Sequence, residues 1–205
     1  MKVKITLLEE MLGTQSSDPN IHEAFIASKA PNAQSTEEEV AALGVDEVVR
    51  KDMTIFPRME DSTPFLWDYQ IKGFFKDACS MLSRVAEKDP ETGKKKVCNE
   101  SSKMTAFKKV IDGMIFVSPR KIPLHFDGEI GNCQRPLRAQ TAQGEHVALA
   151  NSETVPAGAT FEIEITCLSV SHEKAVLEWL SYGVFRGIGQ WRNSGKGRFS
   201  YELLD

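Results

Sequence analysis

Between residues 183 and 199 the chain sets five glycines (Gly183, Gly187, Gly189, Gly195, Gly197) among four cations (Arg186, Arg192, Lys196, Arg198). No acidic residue falls between Glu178 and Glu202. Glycine permits positive φ and the close approach of a second backbone. Successive exposed N–H groups then form a concavity that accepts an anion. With basic side chains around it, such a loop suits a phosphate chain, and Trp191 offers a face on which a base can stack. The same residues also describe a Gly-rich hairpin with a solvated basic rim and a core tryptophan, and the motif alone does not choose between the two.

Other residue types able to do chemistry are sparse. Metal-independent RNA cleavage needs a general base near a 2′-OH, commonly histidine. His22, His125, His146 and His172 qualify by type. His22 falls on a predicted helix beside the first loop, His125 on a strand edge near Lys121, and His172 at the start of the last helix, where a cap or surface role competes. None pairs with a second catalytic group at telling spacing, so no catalytic residue is assigned; His22 and His125 stand as weak candidates. Glu37, Glu38 and Glu39 occupy successive helix positions and point apart, which suits a solvated N-terminus favoured by the dipole rather than a metal cluster. Glu162 and Glu164 alternate on one strand face, normally the solvent face. Cys79, Cys98, Cys133 and Cys167 form no C-x-x-C pair and no zinc-ligand spacing. The expectation is therefore no metal, no cofactor, and thiols kept reduced in a cytoplasmic setting.

The elements that must position these residues follow from periodicity. Residues 2–8 alternate, with Val3, Ile5 and Leu7 on one face, and predict a first strand rather than a signal peptide. A polar loop follows, then helix signals at 21–28, 36–43 and 46–50, which read as a helical insertion at about 11–52. Short extended pieces are predicted at 54–57 and 65–67, and a long helix at 69–87 with Ile71, Phe74, Phe75, Ala78, Met81, Leu82 and Val85 on its apolar face. Residues 88–103 carry Lys94, Lys95, Lys96 and Lys103 and read as a flexible loop. A short helix at 104–112 precedes strands at 114–117, 122–126, 135–141, 147–151 and 161–168. A helix at 173–182, the Gly-rich loop and a strand at 198–203 complete the chain. Helices mixed with antiparallel strands indicate α+β. Two βαβ-like halves sharing a sheet indicate the ferredoxin-like class.

The 205 residues fit one large domain or two small packed halves, and suffice to bury a proper core. A net charge of −4 argues against an indiscriminate nucleic-acid binder but leaves room for a local basic groove. No apolar run approaches the ~18 residues that span a bilayer.

Four places line up with one family. The stretch from Gly187 to Phe199 resembles the Gly-rich loop before the last strand of the RAMP superfamily, RRM-like proteins that form the RNA-binding backbone of CRISPR effector complexes. Residues 71–78 resemble that family's glycine-led turn into a helix, 64–67 its preceding extended segment, and 153–161 its E-x-V-P-x-G-x-x-F entry into a central strand. The resemblance covers about 1–10 and 53–203. It implies a single RAMP-like domain over 1–205, with an antiparallel ferredoxin-like/RRM-like sheet and helices on one face. It departs from the family at Phe74 and Phe75, where backbone subunits carry small hydroxyl residues, and at Asp77, an unexpected acid beside Lys76. In some of those subunits an aspartate after the first strand supports target-RNA cleavage, and Asp18 occupies a loosely similar place.

The resemblance implies an RNA-binding protein of antiviral defence that uses Arg186, Gly187, Gly189, Trp191, Arg192, Gly195, Lys196, Gly197 and Arg198, with Lys72 and Lys76 beside the 71–78 turn. Partners would be a guide-like single-stranded RNA and CRISPR-type subunits or further copies, with no membrane. Three alternatives stay open: an inhibitor or mimic acting on a CRISPR or related complex through the acidic 37–61 segment, a metal-independent endoribonuclease, and a protein that sequesters a small nucleotide.

Overall fold

The computed structural model describes residues 1–17, 53–85, 87–88, 95–96, 98–141 and 144–204. Asp18, His22, Glu37, Glu38, Glu39 and the helices predicted between 21 and 50 lie outside the described residues. In chain order the elements are β1 (Lys2–Leu7), β2 (Met11–Leu12), β3 (Gln15–Ser16), β4 (Thr54–Ile55), β5 (Phe65–Trp67), α1 (Asp68–Leu82), β6 (Glu87–Lys88) and β7 (Lys95–Lys96). They continue with α2 (Glu100–Lys103), α3 (Phe107–Met114), β8 (Ile115–Ser118), β9 (Lys121–Pro123), β10 (Gly131–Thr141) and β11 (Gly144–Val155). β12 (Thr160–Cys167), α4 (Val170–Tyr182), a 3₁₀ turn (Arg192–Ser194) and β13 (Phe199–Leu204) close the chain.

The chain packs as two compact units, one of residues 1–11, 57–128 and 156–205, the other of 12–56 and 129–155. In the first, a sheet runs in the order β13-β1-β12-β8 with every neighbour antiparallel. Period-two alternation gives it one buried face, Val3, Ile5, Leu7, Ile115, Val117, Phe161, Ile163, Ile165 and Phe199. Against that core α1 buries Ile71, Phe74, Phe75, Ala78 and Cys79, and α4 buries Ala175, Val176, Trp179 and Leu180. Phe75 and Trp179 meet with ring centroids 5.4 Å apart, and Phe74 meets Phe199 edge-on at 5.1 Å. Each such fully buried side chain contributes about 1.5–3 kcal/mol. A separate two-stranded ribbon, β5 with β9, leads into the N-terminus of α1.

In the second unit β10 and β11 form a long antiparallel hairpin, β4 adds parallel to β11, and β3 pairs antiparallel with β4. Glu153 accepts the Phe56 N–H at 2.9 Å, and Thr54 donates to the Ser152 hydroxyl at 2.7 Å.

Several predicted boundaries move. The helix expected at 69–87 stops at Leu82, and Val85 is half exposed rather than on the core face. The cause is a tightened last turn: Arg84 and Val85 donate to the carbonyls of Met81 and Leu82, three residues back, at 3.0 Å each. The helix expected at 104–112 starts at Phe107, after extended Met104 and left-handed Ala106. The strand expected at 122–126 is only Lys121–Pro123, followed by an isolated bridge between His125 and Thr160. Within the lysine-rich stretch β6 pairs with β7, and α2 is capped by Asn99, which accepts the Ser102 N–H at 2.8 Å.

Candidate nucleic-acid interface

The Gly-rich loop leaves α4 at Tyr182 and folds back on itself before β13. A Cβ on Gly187 would stand 2.1 Å from the Lys196 carbonyl oxygen, and one on Gly197 would stand 2.0 Å from the Ile188 oxygen. The two backbone runs therefore touch, Ile188 N–H donating to the Gly197 carbonyl at 2.9 Å. Gly197 also sits at φ +71, where an L side chain is strained. Gly189 and Gly195 share positive φ, and so does Trp191 at φ 53. The loop is pinned at its far end, where Gly197 N–H donates to the Glu10 carbonyl at 2.8 Å and Leu8 N–H to that of Arg198 at 2.7 Å.

The charges of the loop are matched by three carboxylates. Asp77, on α1, accepts from Arg186 Nε at 2.8 Å and from an Arg192 guanidinium nitrogen at 2.8 Å. Arg186 also donates to the Asn193 side-chain oxygen at 2.7 Å, bracing the 3₁₀ turn. The hydrogen bond to Asp77 pushes the Arg186 pKa above its ordinary value, so this group stays cationic. Lys196 pairs with Glu10, and Arg198 pairs with Glu9 at 3.0 Å. Among the described residues, four cations against three carboxylates leave one positive charge. Arg192 gives Asp77 one of the five N–H donors a guanidinium carries. Beside these groups the loop exposes Phe185 (75%) and Trp191 (42%), so the tryptophan is not the core residue the hairpin alternative required.

Lys72 and Lys76 lie on α1. Lys76 pairs with Asp112 at 2.6 Å, while Lys72 donates to the Asp112 carbonyl at 3.3 Å and rests 5.0 Å from the Phe116 ring centroid. His125 lines a cleft of about 600 Å³ together with Thr63, Asp127 and Thr160. His172 falls in the first turn of α4. No group of three or more metal-ligating side chains occurs among the described residues. No helix among them is long and apolar enough to cross a membrane.

The other face of the four-stranded sheet is polar. Lys2 and Lys4 stand opposite Glu164 and Glu162 on one side, and Lys4 stands opposite Glu202 on the other. Three carboxylates outnumber two lysines there, so this face offers no net positive charge.

Sequence reasoning flagged Asp77 only as an odd neighbour of Lys76, and it did not single out Phe185, Glu9 or Glu10. The available signal was the acid-free run from 179 to 201: four cations in a folded loop need counter-charge from elsewhere in the chain.

No family model matches the sequence, and no curated protein matches it. Solved structures do. Over 100% of its length the chain is similar to a chain of the Type III-B Cmr-beta complex bound to cognate target RNA, with a TM-score of 0.52 and 12% identity. The fold is one found in a CRISPR-complex subunit. The chain spans 58% of the length of that Cmr-beta chain, and at this identity the likeness is one of fold. A chain of a Type IV-B CRISPR complex matches over 99% of this chain and 89% of its own, with a TM-score of 0.49 and 10% identity.

Proposed function

We propose that the protein is a RAMP-type RNA-binding protein. Its C-terminal loop (Arg186, Gly187, Gly189, Trp191, Arg192, Gly195, Lys196, Gly197, Arg198) holds an RNA backbone, helped by Lys72 and Lys76. Its partners are a guide-like single-stranded RNA and CRISPR-type subunits. One observation carries the reading, the whole-chain fold likeness to a subunit of an RNA-bound effector. The chain order β1, α1, β8, β12, α4, β13 with sheet order β13-β1-β12-β8 supports a ferredoxin-like, RRM-type core. In this reading residues 1–205 form one RAMP-like domain with an insertion at about 11–52 and a lysine-rich loop at 88–103. The test is binding of labelled single-stranded RNA across a salt series. Affinity that falls steeply with salt, and falls further in Arg192→Ala with Lys196→Ala, supports the reading. RNA affinity unchanged by that pair of substitutions removes the loop from the site.

A second reading has its own support. Asp77, Glu9 and Glu10 hold the loop's cations within the chain, and the polar sheet face carries Glu162, Glu164 and Glu202. Such internal neutralisation suits a protein that meets a CRISPR complex as an inhibitor or mimic. That protein is captured by an effector complex and ignores free RNA at low salt.

A further inference from the structure

Away from the Gly-rich loop, the β5–β9 ribbon and the start of α1 bring aromatic rings and cations together. Trp67 ends β5 and pairs across the ribbon with Lys121, so both side chains stand on one face. Tyr69 follows in the first turn of α1, its ring plane within 15° of the Trp67 plane and the centroids 6.3 Å apart. The Lys121 ammonium lies 5.4 Å from the Phe65 centroid and 5.9 Å from that of Trp67, and the Arg120 guanidinium lies 5.7 Å from Trp67. The backbone fixes this geometry: Asp68 N–H donates to the Arg120 carbonyl at 3.0 Å, and Trp67 N–H donates to the Gln70 side chain at 2.8 Å.

Three features separate this patch from ordinary surface. Tyr69 is 58% exposed and has no part in the core. Arg120 and Lys121 are exposed, and among the described residues their side chains rest on rings, whereas the four loop cations each hold a carboxylate. One turn further along α1 come Lys72 and then Gly73, an exposed helical glycine with nothing within 4 Å of where a Cβ would stand. Packing inside the chain does not require that glycine, which costs a helix stability relative to alanine. It leaves bare backbone beside Tyr69 and Lys72.

We infer that Trp67, Tyr69, Arg120 and Lys121 form a base-stacking platform for single-stranded RNA. A base lies parallel to the Tyr69 and Trp67 rings, and Arg120 and Lys121 meet the flanking phosphates. The cations also hold the Trp67 ring in place. The inference rests on the RNA-binding reading above and adds a second contact that reads the faces of bases rather than the backbone.

The test uses the full chain and two fluorescein-labelled probes, an oligo-uridine RNA and a ribose-phosphate oligomer of the same length with no bases. Tyr69 is exposed, so Tyr69→Ala keeps the fold, which a thermal melt checks. Tyr69→Ala weakens oligo-uridine binding roughly 5- to 150-fold, the effect of losing one base–aromatic stack. It leaves the baseless probe unchanged, and Tyr69→Phe restores wild-type affinity. Lys121→Ala lowers the salt slope for both probes by about one. Equal loss on both probes, or no loss on either, overturns the platform. If Arg192→Ala with Lys196→Ala still weakens binding in that case, the loop reading survives alone. If the unsubstituted protein ignores oligo-uridine at low salt, both readings fall and the patch is a surface for protein.

Discussion

Asp77 receives both Arg186 and Arg192, 109 and 115 residues further along the chain, through hydrogen bonds of 2.8 Å each. One carboxylate on the core helix thus anchors both ends of the segment that carries Trp191. Removing it leaves two partly buried guanidiniums facing each other. Asp77→Ala is expected to lower stability by about 1–3 kcal/mol, read as a drop in the urea midpoint. Restoring part of that loss by adding Arg192→Ala in a double-mutant cycle shows that the guanidinium left unpaired carries it. If the loop binds RNA, Asp77→Asn also raises affinity at low salt by freeing guanidinium donors.

Gly197 and Gly73 sit in opposite surroundings, and alanine tells them apart. Gly197→Ala meets the Ile188 oxygen at 2.0 Å and adopts φ +71, so it costs at least ~1–2 kcal/mol. Gly73→Ala meets nothing within 4 Å on a helix and is expected to stabilise by about 0.5–1 kcal/mol. Paired thermal melts of the two variants should move in opposite directions.

Ser101 links α2 to the core. Its hydroxyl donates to Glu178 at 2.5 Å and accepts the Trp179 indole N–H at 2.9 Å, while Glu178 also takes the Glu100 N–H at 2.6 Å. Ser101→Ala strands the fully buried indole N–H. The expected cost is about 1–3 kcal/mol, with a shifted tryptophan emission spectrum as the local readout.

The cysteines should label in order of burial. Burial pushes the Cys79 and Cys167 thiols up from their ordinary value of 9.0, whereas Cys98 is exposed. A maleimide at neutral pH is expected to modify Cys98 first and Cys79 only with global unfolding, as peptide mapping would report. The raised values carry a sign for stability. In the unfolded chain these thiols ionise from about pH 9.0 upward while the folded ones stay protonated, so their contribution is present below that pH and declines above it.

Much of the fold is legible in local periodicity. The alternation of Val3, Ile5 and Leu7, that of Phe161, Ile163 and Ile165, and the helical spacing of Ile71, Phe74, Phe75 and Ala78 each give an element and its buried face. They do so because burial repeats at the period of the backbone that presents it. Ends are less legible: nothing in the apolar spacing from Ile71 to Val85 announces the tightened turn after Leu82. The site divides in the same way. Glycine and arginine types mark the loop at 183–199, since they act through local backbone freedom and charge.

What those groups face is decided by tertiary structure. Asp77, Glu9 and Glu10 reach the loop only because α1 and the segment after β1 pack beside it. Trp67 meets Lys121 only because β5 pairs with β9 in that register, 54 residues apart. By itself the sequence determined an α+β chain with a glycine-rich cationic loop. Tertiary structure decided that the loop's charges are held by carboxylates, and that Arg120 and Lys121 stand against the Trp67 and Phe65 rings at the head of α1. Pairing across such separations is set by which faces bury together, a property that no local stretch of residues contains.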